Sequence, residues 1–172
     1  MNIKKWVIVS TSTILGLTLI VVVNNSFASS NPSVNKYELI STSTHDKEKI
    51  KEVGMTFKDD ITIKPKQGAS QAVASAKEYA PGYAEEAKKI EVEYHLVTNP
   101  NFNLFSKEAK SSNSKLEKDG FLLDTPCYVV TFKGISKPAK SYKNDQTPKT
   151  FTEYSVVVDA NTNQVLYGFS YR

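Results

Sequence analysis

The chain has 172 residues, with 22 Lys and Arg against 18 Asp and Glu and a formal charge of +4. Two of those charges, Lys4 and Lys5, belong to an apolar leader without an acid. The remainder is near +2, too weak a field for a dedicated nucleic-acid binder, and is the length of one ordinary domain. Apolar and charged fractions are those of a globular protein, which excludes wholesale disorder, and no zinc-finger spacing, glycine-rich phosphate loop or internal repeat is present.

Residues 1–28 read as a secretory signal. Met1 to Lys5 form a positive start, Trp6 to Val23 an apolar stretch diluted by five hydroxyl residues, and Ser26 and Ala28 place small side chains at −3 and −1 of a cleavage site. Residues 6–23 are also just long enough to span a bilayer as an uncleaved anchor. Both readings put the rest of the chain outside the cytoplasm, secreted or membrane-anchored. No cysteine follows the apolar stretch, which excludes a lipoprotein. Cys127, the only cysteine, has no intramolecular partner and reads as a small hydrophobe near the start of a strand.

Residues 29–59 form a polar N-terminal segment. Ser29 to Asn35 reads as a linker, Tyr37 to Ser41 as a short strand, and His45 to Val53 as a turn or two of helix. Ile61 and Ile63 alternate with polar residues until Pro65. Ala69, Val73, Ala76 and Ala80 then recur at helical spacing, with Ser70 as the expected N-cap and Pro81-Gly82 as the stop. The narrow, small-sided face predicts a helix lying close to a sheet.

From there the period changes to two. Ile90, Val92, Tyr94 and Leu96 alternate with Glu91, Glu93 and His95, which predicts a half-buried antiparallel strand. Tyr128, Val130 and Phe132 mark a second strand, Tyr154, Val156 and Val158 a third, and Val165, Tyr167, Phe169 and Tyr171 a fourth. Asp159 to Asn163 is the turn between the last two. Two connections are long, 99–126 and 134–150. The expected fold is α+β: one main helix packed on an antiparallel sheet of about four strands, over residues 60–172.

The order of these elements, and the run Val158-Asp159-Ala160-Asn161-Thr162-Asn163-Gln164-Val165-Leu166, resembles the end of the PepSY domain family. There a strand finishes in Val-Asp-Ala, turns through a Thr-Gly type pair and returns through Val-Leu. Asn163 stands where that family usually has glycine. The resemblance implies an exported, non-catalytic binding module that restrains or modulates an extracytoplasmic peptidase, and it carries over no catalytic residue.

Among side chains that could do chemistry, Glu91, Glu93 and His95 share one strand face and could supply metal ligands, with His45 the only other histidine. The solvent-facing side of a half-buried strand explains the same residues, and the pairs Asp59-Asp60 and Glu85-Glu86 read as solvated. No nucleophile with an adjacent base is visible, so neither an enzyme nor a cofactor is expected; a metal-dependent enzyme is the remotest alternative. The aromatic row Tyr167, Phe169 and Tyr171, with Tyr94, reads as core beneath the helix. The basic loop 133–149, with Lys133, Lys137, Lys140, Lys143 and Lys149, is the candidate partner contact. Its partner would be a protein or, in the alternative reading of a surface-contact protein, an anionic cell-envelope polymer or lipid.

Overall fold

The computed structural model describes residues 36–59, 62–138 and 150–170, all within one compact unit. Ser26 and Ala28, Ile61, Lys140, Lys143 and Lys149, and Tyr171 lie outside the described residues.

Six strands form one mixed sheet. They are β1 (Tyr37–Ile40), β2 (Thr56–Lys58), β3 (Lys89–Asn99), β4 (Leu122–Pro138), β5 (Thr150–Asp159) and β6 (Val165–Phe169). β3 to β6 run antiparallel in chain order. β1 and β2 both lie on the outer edge of β3. β1 runs parallel to it opposite Ile90 to Glu93, and β2 antiparallel opposite Leu96 to Thr98. The expected antiparallel sheet of about four strands is present as β3 to β6, and β1 and β2 extend it to a mixed sheet of six. Alternation reports which face a side chain takes but carries no information on strand direction. Residues 36–59, read from the sequence as a segment before the α+β domain, contribute two of its strands.

Helix α2 (Ala69–Tyr79) packs on one face through Ala72, Val73 and Ala76. Its alanines let the backbone approach the row Val92, Val130, Phe132, Val156 and Val158, all fully buried. Larger side chains there would overpack the contact at a cost of about 1–3 kcal/mol. The N-cap is Gly68 rather than Ser70: its backbone N–H donates to the Gln71 side chain at 2.9 Å, the return half of a capping box. Pro81, expected as a stop, instead opens the short helix α3 (Pro81–Ala84).

The opposite face is covered too. Ile50 of α1 (Lys47–Glu52) packs there with Met55, Phe105, Ala109 of α4 (Lys107–Ser112) and Leu116 of α5 (Ser114–Asp119). They bury Val97, Leu122, Cys127, Val157 and Tyr167. Both α4 and α5 fall inside the connection 99–126. Each is a single capped turn or two, with Ser106 and Asn113 accepting from the backbone N–H groups of Ala109 and Leu116 at 3.0 Å. The sheet is therefore sandwiched. The reading of Glu91, Glu93 and His95 as a solvated strand face is overturned, since all three are buried.

The β6 aromatics are corrected in the same way. Val165 pairs with Val158, but Tyr167 pairs with Val157, so Leu166 is an extra residue and a bulge turns the strand over. Val165 faces the α2 core, whereas Tyr167 and Phe169 enter the second one. Gly168 passes under the Tyr154 ring, and a Cβ there would meet the ring and collide with its hydroxyl. The preceding turn is held by Asp159, whose Oδ1 accepts from the N–H of Asn161 at 2.8 Å and of Thr162 at 3.2 Å. Asn163 takes the left-handed φ of 63°, the conformation for which a glycine would otherwise be chosen. No helix among the described residues is long and apolar enough to cross a membrane.

Candidate functional site

The chain leaving β1 and the chain leaving β2 converge on β3 near Tyr94 and His95, the two positions between the segments that those strands pair. Between them residues 41–46 cross the sheet, and this crossing creates the most concentrated polar cluster of the described residues. At its centre is Glu93, with a side chain 1 % exposed. One carboxylate oxygen accepts from the backbone N–H and the hydroxyl of Thr44, both at 2.8 Å. The other accepts from the Ser43 hydroxyl and His95 Nε2, also at 2.8 Å. Burial alone would raise the carboxyl pKa. The donors from His95, Thr44 and Ser43, with the nearby charge of His45, outweigh it and bring it down to about 2.

His95 is held between two acids. Nε2 meets Glu93, and Nδ1 meets Asp59 Oδ1 at 2.8 Å. The imidazole also stacks on Phe57, with centroids 4.9 Å apart and planes 9° apart. His45 meets the same Phe57 ring edge-on at 5.7 Å, and its Nε2 lies 3.2 Å from the Thr131 hydroxyl, itself 3.0 Å from Ser155 Oγ. Burial lowers the His45 pKa, against the pull of Glu93 and Glu153. Glu91 is bridged by Lys133 at 2.6 Å and Lys89 at 2.9 Å. Burial opposes its ionisation, but these ammonium groups and Thr44 hold its carboxyl below the usual range.

Asp59, Ser43 and Thr44 are the partners that sequence reasoning missed. Asp59 looked solvated and its side chain is indeed 63 % exposed, but one oxygen is committed to His95. Only the charge-rich alternation of β3 hinted that buried acids would need donors from elsewhere. Among the described residues no three His, Cys, Asp or Glu side chains are grouped so as to hold a metal ion.

Two concave surfaces flank this framework. One is a cavity of about 180 Å³ between α1 and β2, bounded by Ser43, His45 and Asp59 on its polar side and by Ile50, Met55 and Phe57 on its apolar side. The other is an open groove of about 320 Å³ between α2 and the start of β6, lined by Ser75, Tyr79, Asn163 and Val165 among others. Beside it, Tyr83 stacks on Tyr154 at 4.1 Å. Burial, then neighbouring Tyr79 and Tyr83, push the Tyr154 hydroxyl up to about 12.

The lysines singled out from the sequence fare unevenly. Lys133 and Lys137 are not in a loop but on β4, which continues to Pro138. Lys133 is tied to Glu91, and Lys137 is ion-paired with Glu86 beside the Tyr83 ring. Cys127 is fully buried opposite His95, and burial together with Asp159 raises its thiol pKa well above the usual range. Compared with protein-family models, with curated proteins and with solved structures, the chain matches none.

Proposed function

We propose that this is an exported, non-catalytic binding module of PepSY type that restrains an extracytoplasmic peptidase, and that it does so through the edge of β6. The observation that carries the reading is the outer flank of that strand. β6 pairs only with β5 among the described residues, and its outer side adjoins the groove against α2. An extended segment of a partner added there would gain main-chain hydrogen bonds from β6 and side-chain contacts with Val165 and Tyr79, which is half exposed. Asn163 Oδ1, buried at the groove and without a hydrogen-bond partner among the described residues, offers one more acceptor.

The chemistry of the buried acids supports the non-catalytic part. A general base needs a free lone pair and a proton affinity near the working pH. Glu93 has neither, because its oxygens receive four donors and its pKa is about 2. Such a carboxylate fastens a loop. The turn through Asp159 and the alanine-faced helix fit the resemblance to PepSY domains, with Asn163 serving in place of glycine.

The test is affinity and inhibition against a panel of exported metallopeptidases. Tyr79→Glu, on an exposed helix position, is expected to weaken binding at least tenfold without changing the melting temperature, and Lys137→Ser to leave it unaltered. The opposite ranking, with steep salt dependence, would transfer the contact to the basic side and to anionic envelope polymers. Turnover of a peptide substrate that is lost with Glu93→Gln would refute the non-catalytic reading.

A further inference from the structure

The cavity between α1 and β2 lies apart from β6 and plays no part in the proposed partner contact. Its floor is Ile50 and Met55, which are 3 % and 1 % exposed, and its wall is Phe57. That wall is fixed before anything binds: His95 stacks on the Phe57 ring from one side and His45 meets its edge. A preformed apolar slot of about 180 Å³ has room for a phenyl ring or a short branched chain, since a cavity of about 150 Å³ accepts benzene.

The charges at its rim decide which apolar molecule fits. Three ionic side chains line the cavity: Lys47, Lys51 and Asp59. Asp59 is engaged by His95 at 2.8 Å, and Lys51 by Glu48 at 3.0 Å. Lys47 has no ion-pair partner among the described residues, so the rim carries one cation that nothing answers. The Ser43 hydroxyl gives its hydrogen to Glu93.

We infer that the α1–β2 cavity binds a small monocarboxylate with a compact apolar body, its ring or branched chain against Phe57, Met55 and Ile50 and its carboxylate at Lys47. The chemistry is shared by free aryl- or alkyl-carboxylic acids and by the C-terminal residue of a peptide ending in an apolar side chain. The cation at the mouth sets the sign of the ligand, and the fixed aromatic wall sets its bulk.

The experiment is an NMR titration of the full chain with three probes of one shape: 3-phenylpropionate, 3-phenylpropan-1-ol and 3-phenylpropylamine. The acid should bind saturably, moving the amide signals of Ile50, Met55 and Phe57. The alcohol should bind at least tenfold more weakly and the amine more weakly still. Lys47→Ser should remove the preference for acid over alcohol, and Thr56→Trp, from an exposed β2 position that lines the cavity, should abolish binding; neither should move the melting temperature. A peptide ending in a free Phe carboxylate, titrated beside 3-phenylpropionate, tells the two sources apart by which binds tighter. Absence of saturable binding by the acid, binding of the amine as tight as the acid, or an unchanged acid affinity in Lys47→Ser overturns the inference.

Discussion

Replacing Glu93 by glutamine keeps the shape of the side chain and removes its charge. In the folded protein Glu93 ionises near 2 instead of the ordinary 4.5, so the charged form is favoured by about 3 kcal/mol at pH 7. The group is almost fully buried, so solvent screening takes little from that figure. The new amide also turns an N–H₂ toward the donors of Thr44, Ser43 or His95, which adds to the loss. The sign follows from linkage. A carboxyl whose folded pKa is depressed contributes fully above its unfolded value, and that contribution fades as the pH falls from about 4.5 toward 2. The charge-dependent part of the difference between wild type and Glu93→Gln should therefore be about 3 kcal/mol at pH 7 and fall to less than half of that by pH 3. Urea unfolding of both proteins across that range measures it, and subtracting the two cancels other acids such as Glu91. A difference below about 1 kcal/mol at neutral pH, or one that stays flat down to pH 3, would refute the idea that this carboxylate is held charged by its donors.

Three further outcomes are expected. Ser155→Asp and Val156→Asp should both destabilise by about 3 kcal/mol or more in a denaturant melt, because the two faces of β5 are equally buried; a mild effect at Ser155 would mean the second face is open. Gly168→Ala should cost about 1–3 kcal/mol by colliding with Tyr154, and most of that should return in the double variant with Tyr154→Leu; additivity of the two would place the strain elsewhere. Cys127 should resist a thiol reagent in native buffer and react at once in denaturant, since its burial disfavours the thiolate; fast native labelling would contradict its placement opposite His95.

Much of the central sheet can be read from the sequence because its signal is local. The period-two rows of β3, β4 and β5, the alanine face of α2 and the Asp159–Asn163 turn need only neighbouring residues, and the structure has them at those positions. The misplaced elements depend on distant residues. β2 is three residues long, too short to show an alternation of its own. α4 and α5 are six residues each in a Lys/Ser-rich run, too short to show a hydrophobic period. The polar cluster was illegible for a related reason. An alternating Glu-x-Glu-x-His row looks the same whether it faces water or a loop folded back from residues 43 and 44, nearly fifty positions away. The β6 bulge hid the true partners of Tyr167 in the same manner, since a single extra residue, Leu166, reverses a face without altering the pattern.

The two rims of the sheet differ in what they leave for another chain to pair with among the described residues. On the β3 side the edge is divided between a four-residue and a three-residue strand that run in opposite directions, and Glu38, Lys58 and Lys89 punctuate it with charge. No continuous run of free backbone groups is left there for another chain to copy. On the other rim β6 pairs only with β5 among the described residues. Two copies meeting through that strand would close on a twofold axis. If the proposed recognition at this edge holds, it would end in a pair rather than propagate into a filament.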